Sequence, residues 1–487
     1  MICIGKLDKN FRRLEALIEK NRKSFSNYNT VRMRETIRYL TLEKFKLFLK
    51  IPFLLHINAP GYPGFISTGP VAHGIYNFEN CGFFNSAIEE NIFPKSIQEY
   101  IRVKDPSVSA LYHIGSLGTF TQGQSSDFDY WVVVNKNQFK PEKYANLEKK
   151  LNDIVKYSRE KYDQQVSFFI IDANTVREDT QKLAARDQMI AIPRIFLKEE
   201  FYRTYLMIAG KIPLWSILPS ELTDKFERQR MAGQVLSAHE DIIDIGPVGA
   251  IPFTDVLKGL LWHICKSVED PIKALIKATM VFSYEFGLKK HKTLLCDKIK
   301  KRYADAGIDD YSADPYKALF DRILEFHEHC DPDGIHLIKN AIFFRLCEYP
   351  NVKLPQKSSP KYQLLTHYTR NWKLKTNQFN KLLSYQSWSE PEKLLLEKAV
   401  IQRLAQMFNL AIKKAEKPAR LFTTNEAITN WEILKNKTRM RLHQKKSKIN
   451  PCSMYLKTQP MKQLIIEQSS KGWKLLTRCE GHQDLTL

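Results

Sequence analysis

Long apolar runs and paired cysteines are missing from this sequence. No stretch reaches about 18 consecutive apolar residues, so we expect no transmembrane span. The first residues, MICIGKLDKNFRRLEALIEKNRK, lack the sustained apolar stretch and the cleavage site of a secretory signal. The eight cysteines are scattered without a C-x-x-C pair, which argues against a zinc ribbon and against a disulfide framework. We therefore expect a cytoplasmic protein with reduced thiols.

Acidic residues are scarce relative to basic ones. The chain has 53 Asp and Glu against 75 Lys and Arg, a formal net charge of +22. Such an excess attracts polyanions, which include nucleotides, nucleic acids and acidic membranes, and it permits peripheral binding to an inner membrane. A solvated basic surface explains the charge more simply, so the charge alone assigns no partner. A G-x-x-x-x-G-K-S/T motif is also absent, which argues against a Walker-type ATPase.

The sequence does contain enough apolar residues for a large folded protein. A hydrophobic content of 43% indicates a globular chain, and 487 residues leave room for two to four domains. Between residues 110 and 172 the periodicity predicts, in order, strands 110–114 and 127–134, helix 141–162 and strand 166–171, a compact α/β unit. Elsewhere it predicts helices over residues 1–50, 196–211, 255–270, 271–286, 316–329 and 390–415, and C-terminal strands at SMYLK, QLIIE and WKLLT.

Two aspartates stand at the mouth of an apolar strand in GSLGTFTQGQSSDFDYWVV, residues 115–133. Residues two apart in a strand share a face, so Asp127 and Asp129 present both carboxylates together while Phe128 turns into the core. Asp172 ends another strand and could supply a third carboxylate. Carboxylates suit Mg²⁺, and two such ions can hold the attacking and leaving oxygens of a phosphoryl transfer. Two acids by themselves are explained more simply as solvated residues at the end of a strand than as a metal site.

A Gly-Ser pair precedes these acids and strengthens the interpretation as a site. Gly115 allows close backbone approach, and Ser116 with the neighbouring N–H groups can hold a terminal phosphate. Ser126 could orient Asp127, although a local turn hydrogen bond is an equally good explanation. The order Gly-Ser, spacer, D-x-D and later acid resembles the nucleotidyltransferase superfamily, which includes DNA polymerase beta and poly(A) polymerases.

Longer strings make the resemblance more specific. The chain resembles the catalytic half of the class I, enterobacterial-type adenylate cyclases in these strings: GSLGTFTQGQSSDFDYWV, VSFFIIDANTVRED, EEFYRTYLMIAGKIPLW, LWHICKSVEDPIKALIKATMVFSYEF and the N-terminal IPFLLHINAPGYPGF. The resemblance implies conversion of ATP to 3′,5′-cyclic AMP and pyrophosphate in the cytoplasm of a Gram-negative bacterium. It also implies two Mg²⁺ ions, with Mn²⁺ as a substitute.

The resemblance further implies an α+β fold with a nucleotidyltransferase-like, DNA polymerase beta-type core and helical N- and C-terminal regions. We expect an N-terminal helical region with a Pro/Gly loop over residues 1–100 and the catalytic core over 101–235. A helical domain closing over the nucleotide would span 236–420, and a small basic α+β tail would span 421–487. The chain ends at residue 487, without the regulatory half that the resemblance implies, and we expect the catalytic half to act alone.

Roles for individual residues follow from the resemblance. Asp127 and Asp129 would bind both metals, and Asp172 would bind the metal at the ribose 3′-hydroxyl. The Gly115–Ser116 turn would hold phosphate. Basic residues in the matching strings are candidates for binding the triphosphate, each with a solvated side chain as the alternative: Arg203, Lys211, Lys266, Lys273 and Lys277. Of these, Lys266 and Arg203 are favoured.

Two residues of the Gly-Ser turn depart from the family pattern. Leu117 and Gly118 stand where the family has small hydroxyl residues, so fewer side-chain donors would reach the triphosphate.

The segment HEHCDPDGIH, residues 327–336, fits a polar connector better than a zinc site, because its spacing matches no standard structural site. A template-independent nucleotidyltransferase acting on RNA is one alternative function, and an inactive nucleotide-binding regulator is another. ATP is the expected substrate, a regulatory protein partner is possible, and nucleic acid is an unlikely partner.

Overall fold

The computed structural model describes residues 2–90, 92, 95–177, 194–219, 225–305, 311–415, 425–442, 461–469, 472–479 and 485–486. The chain divides into two compact units. The first comprises residues 1–259, 280–333 and 354–373, and the second comprises residues 260–279, 334–353 and 374–487. The four-part division expected from the sequence stays a prediction.

Helices account for most of the regular structure. In chain order they are α1 (Ile2–Tyr39), α2 (Leu42–His56), α3 (Gly82–Glu89), α4 (Pro141–Tyr162), α5 (Ala173–Arg177), α6 (Arg194–Thr204), α7 (Leu214–Ile217), α8 (Lys225–Ala238), α9 (Phe253–Lys266), α10 (Pro271–Phe286), α11 (Leu295–Asp305), α12 (Pro315–Cys330), α13 (Ile335–Leu346), α14 (Pro360–Asn371), α15 (Thr376–Leu383), α16 (Glu390–Lys414) and α17 (Asn425–Leu442). The helical N-terminus and the helices predicted near residues 141, 255, 271, 316 and 390 are confirmed.

Among the described residues, the strands form a four-stranded and a two-stranded sheet in the first unit and a three-stranded sheet in the second. They are β1 (Ala110–Ile114), β2 (Phe128–Val134), β3 (Val166–Asp172), β4 (Leu206–Gly210), β5 (Ile212–Pro213), β6 (Ile242–Ile243), β7 (Met461–Ser469), β8 (Gly472–Cys479) and β9 (Leu485–Thr486). The strands predicted at QLIIE and WKLLT lie in β7 and β8 and are confirmed, whereas SMYLK lies outside the described residues. The fold is α+β, as expected.

The four-stranded sheet has the order β3-β2-β1-β4. β1 runs antiparallel to both β2 and β4, and β3 runs parallel to β2 because α4 crosses between them. The side chains of Phe128, Tyr130 and Val132 point to one face and are fully buried in a core that α2 and α4 also line. The predicted strand–strand–helix–strand unit is confirmed, with Phe128 in the core.

The helix predicted over residues 196–211 is wrong in its second half. α6 ends at Thr204, and Leu206–Gly210 is the edge strand β4. A short apolar run such as LMIAG fits a helix or a strand, and pairing with β1 decides the outcome here. Gly210 does not end a helix. Its φ is +96°, and a Cβ atom there would lie 2.5 Å from the Cα atom of Ala110, so the glycine permits close pairing with β1.

A buried lysine of α4 anchors the Pro/Gly-rich loop that follows α2. Lys150 is 1% exposed, and its Nζ donates to the carbonyl oxygens of Ile57 at 2.6 Å and Gly64 at 3.1 Å. Burial lowers the pKa of Lys150 to about 7, although the charge of Asp153 opposes this. The loop is therefore held by an ammonium group that titrates close to neutrality.

Replacing Lys150 with methionine should change how stability depends on pH. The unfolded chain keeps the lysine proton up to about pH 10.4, so it binds more protons than the folded state between about pH 7 and that value. Stability from this group therefore rises with pH, by about 1 kcal/mol between pH 7.5 and 8.5. Urea unfolding at these two pH values should show that slope in the wild type and lose it in Lys150→Met. An equal slope in both proteins would contradict the assignment.

The polar segment 327–336 covers the last turn of α12, a short connector and the start of α13. Among the residues that the structure describes, no group of three or more His, Cys, Asp or Glu side chains could hold a metal ion. The interpretation as a connector therefore fits this segment better than a zinc site. Within the same described residues, no helix is both long and apolar enough to cross a membrane.

Candidate active site

The Gly-Ser turn and the D-x-D pair meet at one end of the four-stranded sheet. Ile114, the last residue of β1, pairs with Asp129. Gly115 follows with a φ of +98°, and a Cβ atom there would lie 3.9 Å from Oδ2 of Asp129. The Gly115 N–H donates to Oγ1 of Thr204 at 3.1 Å, which fixes the turn against α6. We call Gly115, Ser116, Asp127 and Asp129 the acidic edge.

Two serines join the turn to the first aspartate. The Ser116 hydroxyl donates to Oγ of Ser126 at 3.0 Å, and the same oxygen accepts from the Gly123 N–H at 3.0 Å. Ser126 directly precedes Asp127, and its carbonyl oxygen accepts from Nε2 of Gln164 at 2.9 Å. Ser126 thus makes the local turn hydrogen bond that the sequence allowed, and it also brings Ser116 next to Asp127.

A buried arginine of α1 supports the loop behind the turn. Arg32 donates from Nη2 to the Leu117 carbonyl at 2.7 Å and from Nε to the Gly118 carbonyl at 3.1 Å. Gly118 has a φ of +67°, and a Cβ atom there would lie 2.4 Å from the Arg32 carbonyl oxygen. Leu117 is fully buried. The two departures from the family pattern therefore pack the loop against α1 rather than face a ligand.

Two further contacts fix the rest of this loop. Oδ2 of Asp314 accepts from the Phe120 N–H at 3.1 Å, and Nζ of Lys361 donates to the Gln122 carbonyl at 2.8 Å. Burial raises the pKa of Asp314 to about 6, and backbone hydrogen bonds such as that from Lys317 oppose the rise. The turn is held by α1, α12 and α14 together, so its backbone N–H groups are preorganised.

A buried histidine lies beneath the second aspartate. His113 is fully buried, and its Nε2 accepts from the Asp129 N–H at 3.2 Å. Burial, and next the charge of Arg32, lower the pKa of His113 to about 3. The ring is therefore neutral at pH 7 and can accept this hydrogen bond, which fixes the backbone at the start of β2.

Asp172 does not reach the acidic edge, and its predicted place in a three-carboxylate site is wrong. β2 and β3 are parallel, with Asp129 beside Ser167 and Val134 beside Asp172. Asp172 is thus five residues further along the strands, about 16 Å at the usual rise per residue. Its carboxylate accepts from the backbone N–H groups of Lys136 at 3.0 Å and Thr175 at 3.2 Å, so it caps α5 at the opposite end of the sheet.

Arg203 is buried away from solvent, so its prediction as a phosphate-binding cation is wrong. Its side chain is 1% exposed, and Nε lies 3.1 Å from Oε2 of Glu199, which is fully buried. Glu199 also accepts from the Cys296 N–H at 3.3 Å. The guanidinium is therefore part of a buried ion pair within α6.

Replacing Arg203 with methionine should destabilise the fold, because it leaves the Glu199 carboxylate buried without its cation. Losing one partner of such a pair typically costs about 3–5 kcal/mol. Arg177→Met is a matched control, since Arg177 is 58% exposed in its ion pair with Asp244, and surface pairs contribute about 1 kcal/mol or less. Urea unfolding measures both. Full stability of Arg203→Met together with impaired nucleotide binding would restore the phosphate-binding role.

Lys211 also lies at the wrong end of the sheet. β1 and β4 are antiparallel, with Ala110 paired to Gly210, so Lys211 follows β4 at the edge opposite Gly115. Its backbone N–H donates to the Ser109 carbonyl at 2.9 Å. Its ammonium lies 4.7 Å from the centre of the Tyr76 ring. The prediction that Lys211 binds the triphosphate at the acidic edge is therefore wrong.

The other three predicted cations belong to the second unit. Lys266 is exposed and lies 2.9 Å from Oε1 of Glu269. Lys273 is exposed on the first turn of α10, where its N–H donates to Oδ1 of Asp270 at 2.9 Å, and Lys277 lies one turn later. Their role in binding phosphate stays a prediction.

An unpredicted cation, Lys44, lies near the acidic edge. Lys44 of α2 donates from Nζ to the Gln124 carbonyl at 2.7 Å. Burial lowers the pKa of Lys44, and the nearby charges of Asp163 and Asp127 oppose the shift. Lys44 is some 80 residues from the D-x-D pair in sequence, and no local pattern distinguishes it from other helical lysines. Sequence reasoning alone could not have found it.

Comparisons with known proteins point to one family. The family profile described as "Adenylate cyclase NT domain" matches residues 17–216, and "Adenylate cyclase, class-I, second domain" matches residues 251–453. The adenylate cyclase of Salmonella typhimurium is 27% identical over 309 residues, which are 61% of this chain and 35% of that protein. The adenylate cyclase of Yersinia intermedia is 24% identical over 333 residues, 67% of this chain and 38% of that protein.

The adenylate cyclase of Escherichia coli is similar to the same extent, with 26% identity over 308 residues, 61% of this chain and 35% of that protein. The chain therefore matches little more than a third of the length of these relatives. No solved structure is significantly similar to it.

Proposed function

The chain belongs to the class I adenylate cyclases, and on that premise we propose that it converts ATP to 3′,5′-cyclic AMP and pyrophosphate at the acidic edge. One observation carries the proposal: Gly115, with its positive φ, brings the Gly-Ser turn beside the Asp129 carboxylate. A Cβ atom added to Gly115 would lie 3.9 Å from Oδ2 of Asp129. A phosphate-binding turn and a metal-binding carboxylate pair are thereby adjacent, as phosphoryl transfer requires.

The core that we propose is nucleotidyltransferase-like. The turn follows β1, the D-x-D pair begins the antiparallel β2, and α4 leads to the parallel β3. This arrangement supports the proposal because it puts the turn and both acids at one end of the sheet. At this end, Asp127 is exposed and Asp129 is half-buried.

The carboxylate pair fits a divalent cation of the Mg²⁺ type. Asp127 and Asp129 offer hard oxygen ligands on one face, and Mg²⁺ usually takes one or two carboxylates with water and substrate phosphate as its other ligands. When bound, such ions would neutralise charge that develops on the phosphates. We propose that two such ions bind, as the resemblance implies, with Mn²⁺ as a substitute.

Groups of the protein itself would bind the phosphates and accept the proton of the attacking hydroxyl. Backbone N–H groups of the turn and the Ser116 hydroxyl would hold the terminal phosphates. The Lys44 ammonium would add positive charge beside Asp127. The ribose 3′-hydroxyl would lose its proton to a carboxylate of the acidic edge and attack the α-phosphorus of the same ATP, with pyrophosphate leaving. Lys266, Lys273 and Lys277 remain proposed ligands of the triphosphate.

Incubation of the purified chain with α-labelled ATP and Mg²⁺ or Mn²⁺ tests the proposal. We expect a labelled product that co-migrates with cyclic AMP, with no need for an added RNA primer. Label on an RNA primer would instead support the template-independent nucleotidyltransferase, which the net charge of +22 favours.

An inactive nucleotide-binding protein is the other candidate function. It is favoured by the position of Asp172, because the described residues then leave two carboxylates at the edge instead of three. Tight ATP binding without any labelled product would support it.

A further inference from the structure

The residues beside the two aspartates on the next strand are neutral. In the parallel pairing, Asp129 lies beside Ser167, and the Phe128 N–H donates to the Gln165 carbonyl at 3.0 Å. Side chains two apart on a strand share a face. Gln165 and Ser167 therefore stand on the same face of the sheet as Asp127 and Asp129, one strand away, about 4.8 Å in the hydrogen-bonding direction.

Gln165 holds the position from which a third carboxylate would complete the acidic edge. It directly precedes β3, is exposed at the level of Asp127, and its backbone is fixed by hydrogen bonds to Phe128 and to Gln164. In the part of the chain that the structure describes, no three acidic, histidine or cysteine side chains converge on a metal position. The edge thus presents two carboxylates beside an amide.

Another acid whose charge acts near this end is Asp163, and it is differently placed. Asp163 ends α4 in a left-handed conformation with a φ of +47°, so it is not part of the strand face. Its charge acts on the Lys44 ammonium, as does that of Asp127. Asp163 therefore balances a cation, whereas Gln165 lies in register with the two aspartates.

We propose that Gln165 occupies the third ligand position of the acidic edge and that its neutral amide gives this chain a weak affinity for divalent cations and a slow turnover. Affinity for hard cations depends on the number of charged ligands in the site, so an amide binds less strongly than a carboxylate at the same position. The inference about turnover rests on the proposed cyclase function, and the inference about cation affinity does not.

Replacing Gln165 with glutamate tests the proposal through cation binding itself. Calorimetric titration with Mn²⁺, without nucleotide, should show binding about tenfold or more tighter than in the wild type. The Mg²⁺ concentration that gives half-maximal cyclic AMP formation should fall in the same variant, and the maximal rate should rise. Gln138→Glu is the matched control, because it adds the same charge at an exposed position after the far end of β2, and it should change Mn²⁺ affinity less than twofold.

Asp163→Asn distinguishes Asp163 from Gln165 as the third ligand position of the acidic edge. We expect this variant to keep Mn²⁺ affinity within about twofold of the wild type, since Asp163 is not a ligand. Unchanged Mn²⁺ affinity in Gln165→Glu would overturn the proposal, and so would a loss of affinity in Asp163→Asn. If Gln165→Glu binds Mn²⁺ more tightly but no variant makes cyclic AMP, the ligand position is supported and the proposed cyclase function fails.

Discussion

Replacing Asp127 or Asp129 with asparagine should lower kcat/KM for cyclic AMP formation by about a thousandfold or more while the protein stays folded. Each change removes a charged ligand from the edge where the phosphates react, and such interactions contribute several kcal/mol to the transition state. Both side chains lie at the solvent-facing end of β2 rather than in the core, so the folded structure should tolerate the change. Steady-state kinetics and circular dichroism measure the two effects.

Asp172→Asn is the matched control for this prediction. Its carboxylate caps α5 at the opposite end of the sheet, and asparagine caps a helix about as well as aspartate, so the amide should cost less than about 1 kcal/mol of stability and change kcat/KM only a few-fold. Retained activity in Asp127→Asn or Asp129→Asn, with an unchanged dichroism spectrum, would remove the acidic edge from the mechanism. A loss in Asp172→Asn as severe as in the other two would show that the register between β2 and β3 does not describe the active protein.

Replacing Gly118 with alanine should both destabilise the protein and lower its activity. The Cβ atom would meet the Arg32 carbonyl oxygen at 2.4 Å, and the backbone has a φ of +67°. Left-handed strain costs about 1–2 kcal/mol and overpacking typically about 1–3 kcal/mol, so we expect a loss of about 3 kcal/mol. Because the loop carries the Gly-Ser turn, displacement by even 1 Å should also lower kcat about a hundredfold.

Gly233→Ala provides the comparison, since nothing lies within 4 Å of a Cβ atom at this exposed position inside α8. Alanine there should stabilise the protein by about 0.5–1 kcal/mol. Thermal unfolding of both variants measures the difference. Equal midpoints for Gly118→Ala and the wild type would mean that the loop is not packed against α1 as described.

The sequence was sufficient to predict what depends on local pattern. Alternation predicted that Asp127 and Asp129 share a face and that Phe128 is buried, and the structure confirms the burial and the strand. The start of α4 at Pro141 also follows from local sequence. Gly115 was identified as a residue that allows close backbone approach, and the structure gives it a φ of +98°.

The error at Asp172 was avoidable from topology. A helix that crosses between two neighbouring strands makes them parallel, so the end of β3 must lie beside the end of β2, while the D-x-D pair begins β2. A third ligand had to be sought at the start of β3, where Gln165 stands. Asp172 follows an apolar run, and that pattern by itself contains no information on strand direction.

The other residues whose roles the sequence did not predict depend on contacts between distant parts of the chain. Arg203 looks like any helical arginine, and only the fold shows that it is buried against Glu199. Lys44 and Arg32 donate to carbonyl oxygens of the loop between Gly115 and Asp127 from helices some 80 residues away. No periodicity or motif carries such pairings, because they are set by how α1 and α2 pack on the sheet.

The central claim is that one ATP cyclises on its own 3′-hydroxyl at the acidic edge. The most direct test compares α-labelled ATP with α-labelled 3′-deoxy-ATP in parallel incubations of the purified chain with Mn²⁺, followed by product chromatography. We expect labelled cyclic AMP from ATP and no product from 3′-deoxy-ATP, because the deoxy analogue lacks the attacking hydroxyl while keeping the phosphates. Absence of cyclic AMP from ATP, or transfer of label from the deoxy analogue to any acceptor, would contradict this account.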